Sequence, residues 1–365
     1  MKGLALKCLF LVGACLLARV PVAGAQQSEW ETCVKAAQEA RAKKDYAEVE
    51  QQLLAAHKIA KKWGESSLRF GYTLYWLGEV YAARAAEDPK AAADWAKAER
   101  YISDGLEILE KRLGREHLDV ATALETLGGV YGRPREKTPA APLRGVWEEA
   151  SAVRLEPPGA VPVANYAKAK TLYERALAIR EKQQGADQAQ TLAMVDKLAD
   201  LHYAHGDTAA AMSLYTRLFE NLEKRLGPTH PGLSHYLGLL GMVSLAEGKF
   251  AGAQSIFERR LRLFQRAPDL ESWRLREALE NAADAYRLDN KCPEAYPLYR
   301  AAIESLTAAD AINLPLLENY AKCLNTLGRT EEAKQIEDRA KADAQKLEEK
   351  RKREASPQTE THLPQ

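Results

Sequence analysis

The sequence predicts an all-α fold, an α-solenoid of about seven helical hairpins succeeding one another along the chain. Three observations predict it. The first is a period. Moving Thr208–Phe250 back by 42 positions lays Ala211 on Ala169, Leu214 on Leu172, Tyr215 on Tyr173 and Phe219 on Leu177. Moving it forward by the same step finds Ala253, Ile256, Phe257 and Leu261, and a further step finds Ala295, Leu298, Tyr299 and Ile303. A fixed period of this size marks a repeat architecture, in which stacked neighbours bury what one unit cannot bury alone. The second observation is the spacing within a period. Leu192, Val195, Leu198, Ala199 and His202 recur at steps of three and four, as do Ala211, Leu214, Tyr215, Leu218, Phe219 and Leu222, which is the signature of one helix face. The third is punctuation: Gly185, Gly206, Gly227 and Gly248 stand at the shared breaks, where a residue tolerant of left-handed backbone stops a helix.

Small residues at Ala211, Ala253 and Ala295 point to close helix approach. On these residues the sequence resembles the tetratricopeptide repeat (TPR) family. With LYERALAIREK at 172–182 and RLGPTHP at 225–231, it is similar to the 42-residue variant of kinesin light chains and many bacterial proteins, over most of the chain.

Residues 1–25 differ from the rest of the chain. Lys2 and Lys7 precede an apolar run, Cys8–Ala18, that is short for a bilayer span, and Ala23-Gly24-Ala25 is a small-x-small cleavage pattern. A signal peptide cleaved after Ala25 is expected, which makes the protein secreted or periplasmic. The alternative is a lipoprotein cleaved before Cys15. The full chain sets 52 basic against 51 acidic residues, a net +1; without Lys2, Lys7 and Arg19 the mature chain carries −2. That balance gives no electrostatic case for nucleic acid. No segment after the leader is long and apolar enough to be transmembrane.

The solenoid is expected over 26–354. Repeat 1 pairs Trp30–Lys43 with Tyr46–Lys62, Cys33, Ala36, Ala37 and Ala40 marking the first helix; a loosely matching terminal repeat suits a cap. Repeat 2 starts with Ser67–Ala86, where Leu74, Leu77, Gly78 and Tyr81 take packing positions, and Asp88-Pro89 is expected to open a long second helix reaching Leu113. Repeat 3 begins at His117, with Leu124, Leu127, Gly128 and Tyr131 in the same slots. Then the register breaks. Ala169 lies 71 residues after Ala98, 29 more than the period, so about 133–163 is an insertion between the two helices of repeat 3. Its six prolines argue against a regular element beyond one short helix at Gly145–Val153. It is either a tolerated loop or a partner-contacting flap carrying Trp147. Repeats 4 to 6 keep the period, although Arg266–Ser272 lacks the Gly-x-x-His-Pro loop. Repeat 7 reads Leu317, Tyr320, Ala321, Leu324, Gly328 and Ala333, and its charged second helix runs through Asp338–Arg353 as a solvent-facing cap. Residues 355–365 have no apolar periodicity and should be disordered.

No catalytic constellation stands out: there is no HExxH, no phosphate-cradling glycine loop and no G-x-S-x-G. Catalytic, metal and cofactor residues are therefore not assigned, and no cofactor is implied. His202 and His205 could share a helix face, but His202 sits where Tyr81, Tyr131 and Tyr286 fill their hairpins. His117 and His230 fit loop-fixing roles. Cys33, Cys292 and Cys323 remain after the leader. Cys292 opens the last helix of repeat 6 and Cys323 nears the end of the next, antiparallel helix, with a turn near Thr307–Asp310 between them. They could face each other, and the alternatives are a disulfide worth about 3–4 kcal/mol or two buried thiols.

In the resembling family the first helix of each pair lines a concave face that grips a peptide or partner helix. Carried onto this chain, that face holds Tyr72, Tyr75 and Glu79, then Thr122 and Glu125. It continues with Asp196, Asp200 and Tyr203, with His235, Met242 and Leu245, and with Glu277, Glu280, Asp284 and Arg287. Glu318, Lys322 and Asn325 end it. Chaperone-binding relatives place Lys and Asn there to clamp a carboxylate. The acidic set here implies instead a protein or peptide partner with a basic or mixed amphipathic segment, or else merely solvated helix faces. The readings of function are an exported, non-enzymatic scaffold or adaptor, a subunit of an envelope assembly, lipid-anchored or not, and an enzyme that uses the insertion.

Overall fold

The computed structural model describes residues 25–88, 91–133, 165–265, 272–306 and 313–355. Among the described residues there are fourteen α-helices and no strand. They are α1 (Ala25–Ala42), α2 (Tyr46–Lys61), α3 (Leu68–Glu87), α4 (Asp94–Leu113), α5 (Leu118–Gly132), α6 (Tyr166–Gln184) and α7 (Ala189–His205), then α8 (Thr208–Leu226), α9 (Ser234–Ala246), α10 (Phe250–Gln265), α11 (Ser272–Leu288), α12 (Cys292–Glu304), α13 (Leu314–Thr326) and α14 (Thr330–Ala355). The Met1–Ala25 leader up to residue 24, Cys15, the insertion beyond Arg133 with its Gly145–Val153 helix and Trp147, the Thr307–Asp310 turn and the tail after Ala355 lie outside the described residues.

The chain divides into two compact units. Unit 1 takes 1–130 and 175–183, and unit 2 takes 131–174 and 184–365. In unit 1, α1 packs on α2, α2 on α3 and α3 on α4. In unit 2 every helix from α7 to α13 packs on its successor, and α9 also touches α11, as α11 touches α13. Within each unit these neighbours in sequence are neighbours in space, which is the order of an α-solenoid.

Local chemistry sets the helix ends. The carboxylates of Asp45 and Asp207, the Ser67 hydroxyl and the Asn313 amide oxygen accept backbone N–H bonds at the starts of α2, α8, α3 and α13. Gly206 closes α7 in left-handed backbone at φ 88°. Asn290 occupies the equivalent position between α11 and α12 at φ 58°, a conformation asparagine tolerates better than most side chains. One expected boundary is corrected: the second helix of repeat 2 starts at Asp94, not at Asp88-Pro89. Asp88, which precedes the proline, is extended at φ −117° and ψ 110°, as proline demands of its predecessor.

The periodic residues are the core. Ala169, Ala211, Ala253 and Ala295, together with Tyr215, Phe257 and Tyr299, are completely buried. In unit 1 a Cβ on Gly78 would stand 2.9 Å from the Ile102 backbone nitrogen and 3.1 Å from the Ala98 carbonyl oxygen. A side chain there would hold α3 and α4 apart. His202 is buried, with Nδ1 3.0 Å from Asp207 Oδ2 and 2.9 Å from the Tyr166 hydroxyl. His117 and His230 accept the backbone N–H of Asp119 and Gly232 through Nδ1. Cys292 and Cys323 are buried free thiols, and Cys323 Sγ donates to the Cys292 carbonyl at 3.3 Å.

Candidate partner-binding surface

The first helices of unit 1, α1, α3 and α5, are laced together by side chains. Trp30 Nε1 of α1 donates to Thr73 Oγ1 of α3 at 3.1 Å, and Arg41 meets Glu79 at 3.2 Å. Tyr72 of α3 donates to Asp119 of α5 at 2.5 Å, and the Tyr75 hydroxyl lies 3.1 Å from Thr126 Oγ1. Tyr75 also donates to Glu79 at 2.8 Å. Burial pushes the Glu79 carboxyl up, against the lowering pull of Arg41. Glu125 pairs with Arg180 at 2.8 Å, both side chains being 8% exposed, and Arg180 also donates to Thr122 at 3.2 Å. Tyr75, Glu79 and Glu125 are therefore buried, and a partner could not reach these acids without breaking an arginine pair.

In unit 2 the corresponding helices are α7, α9, α11 and α13. Asp196 of α7 accepts the Tyr236 hydroxyl of α9 at 3.0 Å. Asp200, one turn further on, accepts the Tyr215 hydroxyl of α8 at 2.8 Å. Tyr203 stands edge-on to Tyr215 with ring centres 6.1 Å apart, and His235 stands edge-on to Tyr236 at 5.2 Å. These six side chains form one aromatic and acidic patch. Asp200 and His235 are exposed, while Asp196 and Tyr203 are half-buried. Burial, and next the Asp196 charge, push the Asp200 carboxyl up to about 6; because the residue as a whole is exposed, water moderates that effect. Burial also raises Asp196, and it lowers His235 more than Asp196 raises it.

The remaining expected positions are largely engaged. Met242 and Leu245 pack on the core around Phe257 and Ala282. Glu277 pairs with Arg260 at 3.2 Å, and buried Glu280 accepts the Asn313 amide at 2.8 Å. Asp284 accepts Tyr299, the Asn319 amide at 3.0 Å and Arg287 at 3.5 Å. Asn325 donates to Glu337 at 3.1 Å, and Glu318 and Lys322 are exposed. The partners Arg41, Arg180, Tyr215 and Tyr236 escaped the sequence reading, although Tyr236 lies 40 residues after Asp196, close to one period. The patch offers fixed negative charge beside aromatic rings, which suits a cationic side chain. Among the described residues no group of three or more metal-ligating side chains occurs, and no helix is long and apolar enough to cross a membrane.

Residues 163–224 match the family model described as tetratricopeptide repeat. No curated protein matches the chain. Among solved structures, one described as a kinesin light chain with nearly identical TPR-like repeats, from Podosopora anserina, is 20% identical over 50% of this chain and 89% of its own, with a TM-score of 0.45. A tetratricopeptide repeat protein from Parabacteroides merdae is 14% identical over 86% of this chain and 93% of its own, with a TM-score of 0.46. Aspartyl phosphate phosphatase F from Bacillus subtilis is 13% identical over 90% and 77%, with a TM-score of 0.49. At these identities and scores no property of those proteins transfers to this one. The match at 163–224 falls on α6, α7 and α8, so this segment is of the tetratricopeptide repeat type, and the later hairpins repeat its spacing.

Proposed function

We propose that the protein is a non-enzymatic scaffold or adaptor that holds a basic or amphipathic segment of a partner protein against α7 and α9. One observation carries this reading. Among the described residues, Asp196 and Asp200 are hydrogen-bonded by tyrosine hydroxyls rather than by a guanidinium; His235 and Lys197 offset the Asp196 charge in part, and Asp200 keeps its own, so the charges are satisfied in geometry but not fully cancelled. Two carboxylates one helical turn apart repel each other, and a partner's ammonium or guanidinium between them would relieve that repulsion. Repeats supply the surface on which such a segment lies. Export is supported by the Met1–Ala25 pattern. Mass spectrometry of the mature N-terminus tests it: a start at Gln26 agrees with secretion, and a lipid on Cys15 would make the protein an anchored envelope subunit.

Fluorescence anisotropy with Lys/Arg-rich amphipathic peptides and acidic counterparts tests the binding reading. The basic peptides should bind at pH 7.5. Replacing both Asp196 and Asp200 by Asn should weaken them by about tenfold or more, since one lost charge contact of about 1.4 kcal/mol is a factor of ten. Binding should also weaken as pH falls below about 6, where Asp200 takes up a proton. Acidic peptides binding best, or a double Asn variant that binds as well as the parent, would reject the assignment.

A further inference from the structure

The buried thiols of Cys292 and Cys323 point to a covalent site. Cys292 begins α12 and Cys323 lies in the last turn of α13, so they sit at the contact between the sixth hairpin and the seventh. Cys323 Sγ is 3.3 Å from the carbonyl oxygen of Cys292, the residue whose own Sγ would complete a bridge. Both belong to one core cluster with Ala295, Tyr299, Tyr320 and Ala333. We propose that Cys292 and Cys323 form an intrachain disulfide when the chain folds in the presence of a disulfide oxidant, and that this bond pins the terminal hairpin to its neighbour.

The location gives the bond its effect. Among the described residues the seventh hairpin is held to the sixth through contacts of α13 with α12 and α11, and an end unit held in this way opens before interior units. A link between α12 and α13 closes a loop across that junction and removes open conformations from the ensemble. The chemistry is thiol–disulfide exchange. One cysteine thiolate attacks the external disulfide, forms a mixed disulfide and releases one thiol. The second cysteine thiolate then attacks the protein sulfur of the mixed disulfide, forms the Cys292–Cys323 bond and releases the second thiol. The two cysteines lose two electrons and two protons, and the external disulfide gains them as two thiols. Burial, with the neighbouring Cys292 side chain, pushes the Cys323 thiol up to about 12. Exchange is therefore slow in the closed protein and fast while the terminal hairpin is open.

The test is refolding of the full chain from denaturant in a buffer of reduced and oxidised glutathione, then alkylation of remaining thiols without reductant and peptide mapping. The expected result is one linked pair of peptides containing Cys292 and Cys323, lighter than the reduced pair by two hydrogen atoms, with Cys8, Cys15 and Cys33 alkylated. Amide exchange in α13 should slow by about tenfold or more against a sample refolded with reductant. Cys292→Ser and Cys323→Ser should each refold under reductant and yield no linked pair. Full alkylation of both cysteines in refolded parent chain would overturn the proposal, as would a bridge from either of them to Cys33 or to a second copy. A linked pair with α13 exchange unchanged would overturn its role at the terminal hairpin.

Discussion

The two compact units handle the acids of their first helices differently. In unit 1, Glu79 and Glu125 are buried and each meets a guanidinium, from Arg41 and Arg180. Nearby, Arg84 spans Glu50 at 2.6 Å and Asp94 at 2.5 Å. In unit 2, Asp196 and Asp200 meet tyrosine hydroxyls. A hydroxyl fills a lone pair and leaves the charge standing, whereas a guanidinium fills the lone pair and cancels the charge. One acidic pattern therefore yields a neutral brace in unit 1 and an anionic patch in unit 2. Helix α11 is intermediate, since Asp284 has Tyr299 and the Asn319 amide as well as Arg287, and Glu277 has Arg260. A face of first helices cannot be read as a list of charges. What matters is whether each charge is cancelled within the protein.

The sharpest way to break the comparison is to remove a cancelling charge. Arg180→Ala leaves the Glu125 carboxylate buried and short of its cation, which should cost about 3–5 kcal/mol in urea unfolding monitored by circular dichroism. A loss below about 1 kcal/mol would mean that the pair behaves like a surface ion pair and that unit 1 is not braced by it. Packing sharpens the contrast at a smaller scale. A methyl on Gly78 in unit 1 meets the backbone of α4, which cannot turn aside. A methyl on Gly241 in unit 2 meets the Phe257 ring, a side chain. Gly78→Ala should therefore destabilise by about 1–3 kcal/mol in the same measurement, and by more than Gly241→Ala. The reverse order would show that α3 and α4 have room to move.

The period made the fold legible. Ala211, Tyr215, Phe257 and Tyr299 could be placed in the core from their spacing, because burying an apolar face demands that spacing in every hairpin. Asn290 lies one period after Gly248, and it keeps the left-handed backbone although its residue type hides the signal. The start of α4 is not legible in the sequence, because Asp88-Pro89 looks like a helix opening while the backbone at Asp88 is extended and the helix begins at Asp94. The site was less legible. Spacing places Glu79 and Asp200 on equivalent first helices, but it does not say that Arg41 will neutralise one and Tyr215 will merely orient the other. Those partners come from neighbouring helices at separations of 38 and 15 residues, and side-chain reach decides them.

The smallest effect is the most specific to unit 2. Burial and Asp196 raise the Asp200 carboxyl from 3.8 to about 6, so the folded chain holds this proton more tightly than the unfolded chain. Stability from this group is therefore complete below about pH 4 and is lost as pH rises through about 6. At neutral pH the charged form opposes folding. Asp200→Asn keeps an acceptor for the Tyr215 hydroxyl and removes the charge, so the midpoint of thermal unfolding at pH 7.5 should rise. Because Asp200 is exposed and screened by water, the rise should be about 1–2 °C, and it should vanish near pH 4. Glu125→Gln in unit 1 should lower the midpoint at the same pH, since there the lost charge had a cation beside it. Opposite signs at these two positions are what a cancelled and an uncancelled acid require. A fall at both would mean that Asp200 is held by a cation after all, and the anionic patch on α7 and α9 would lose its basis.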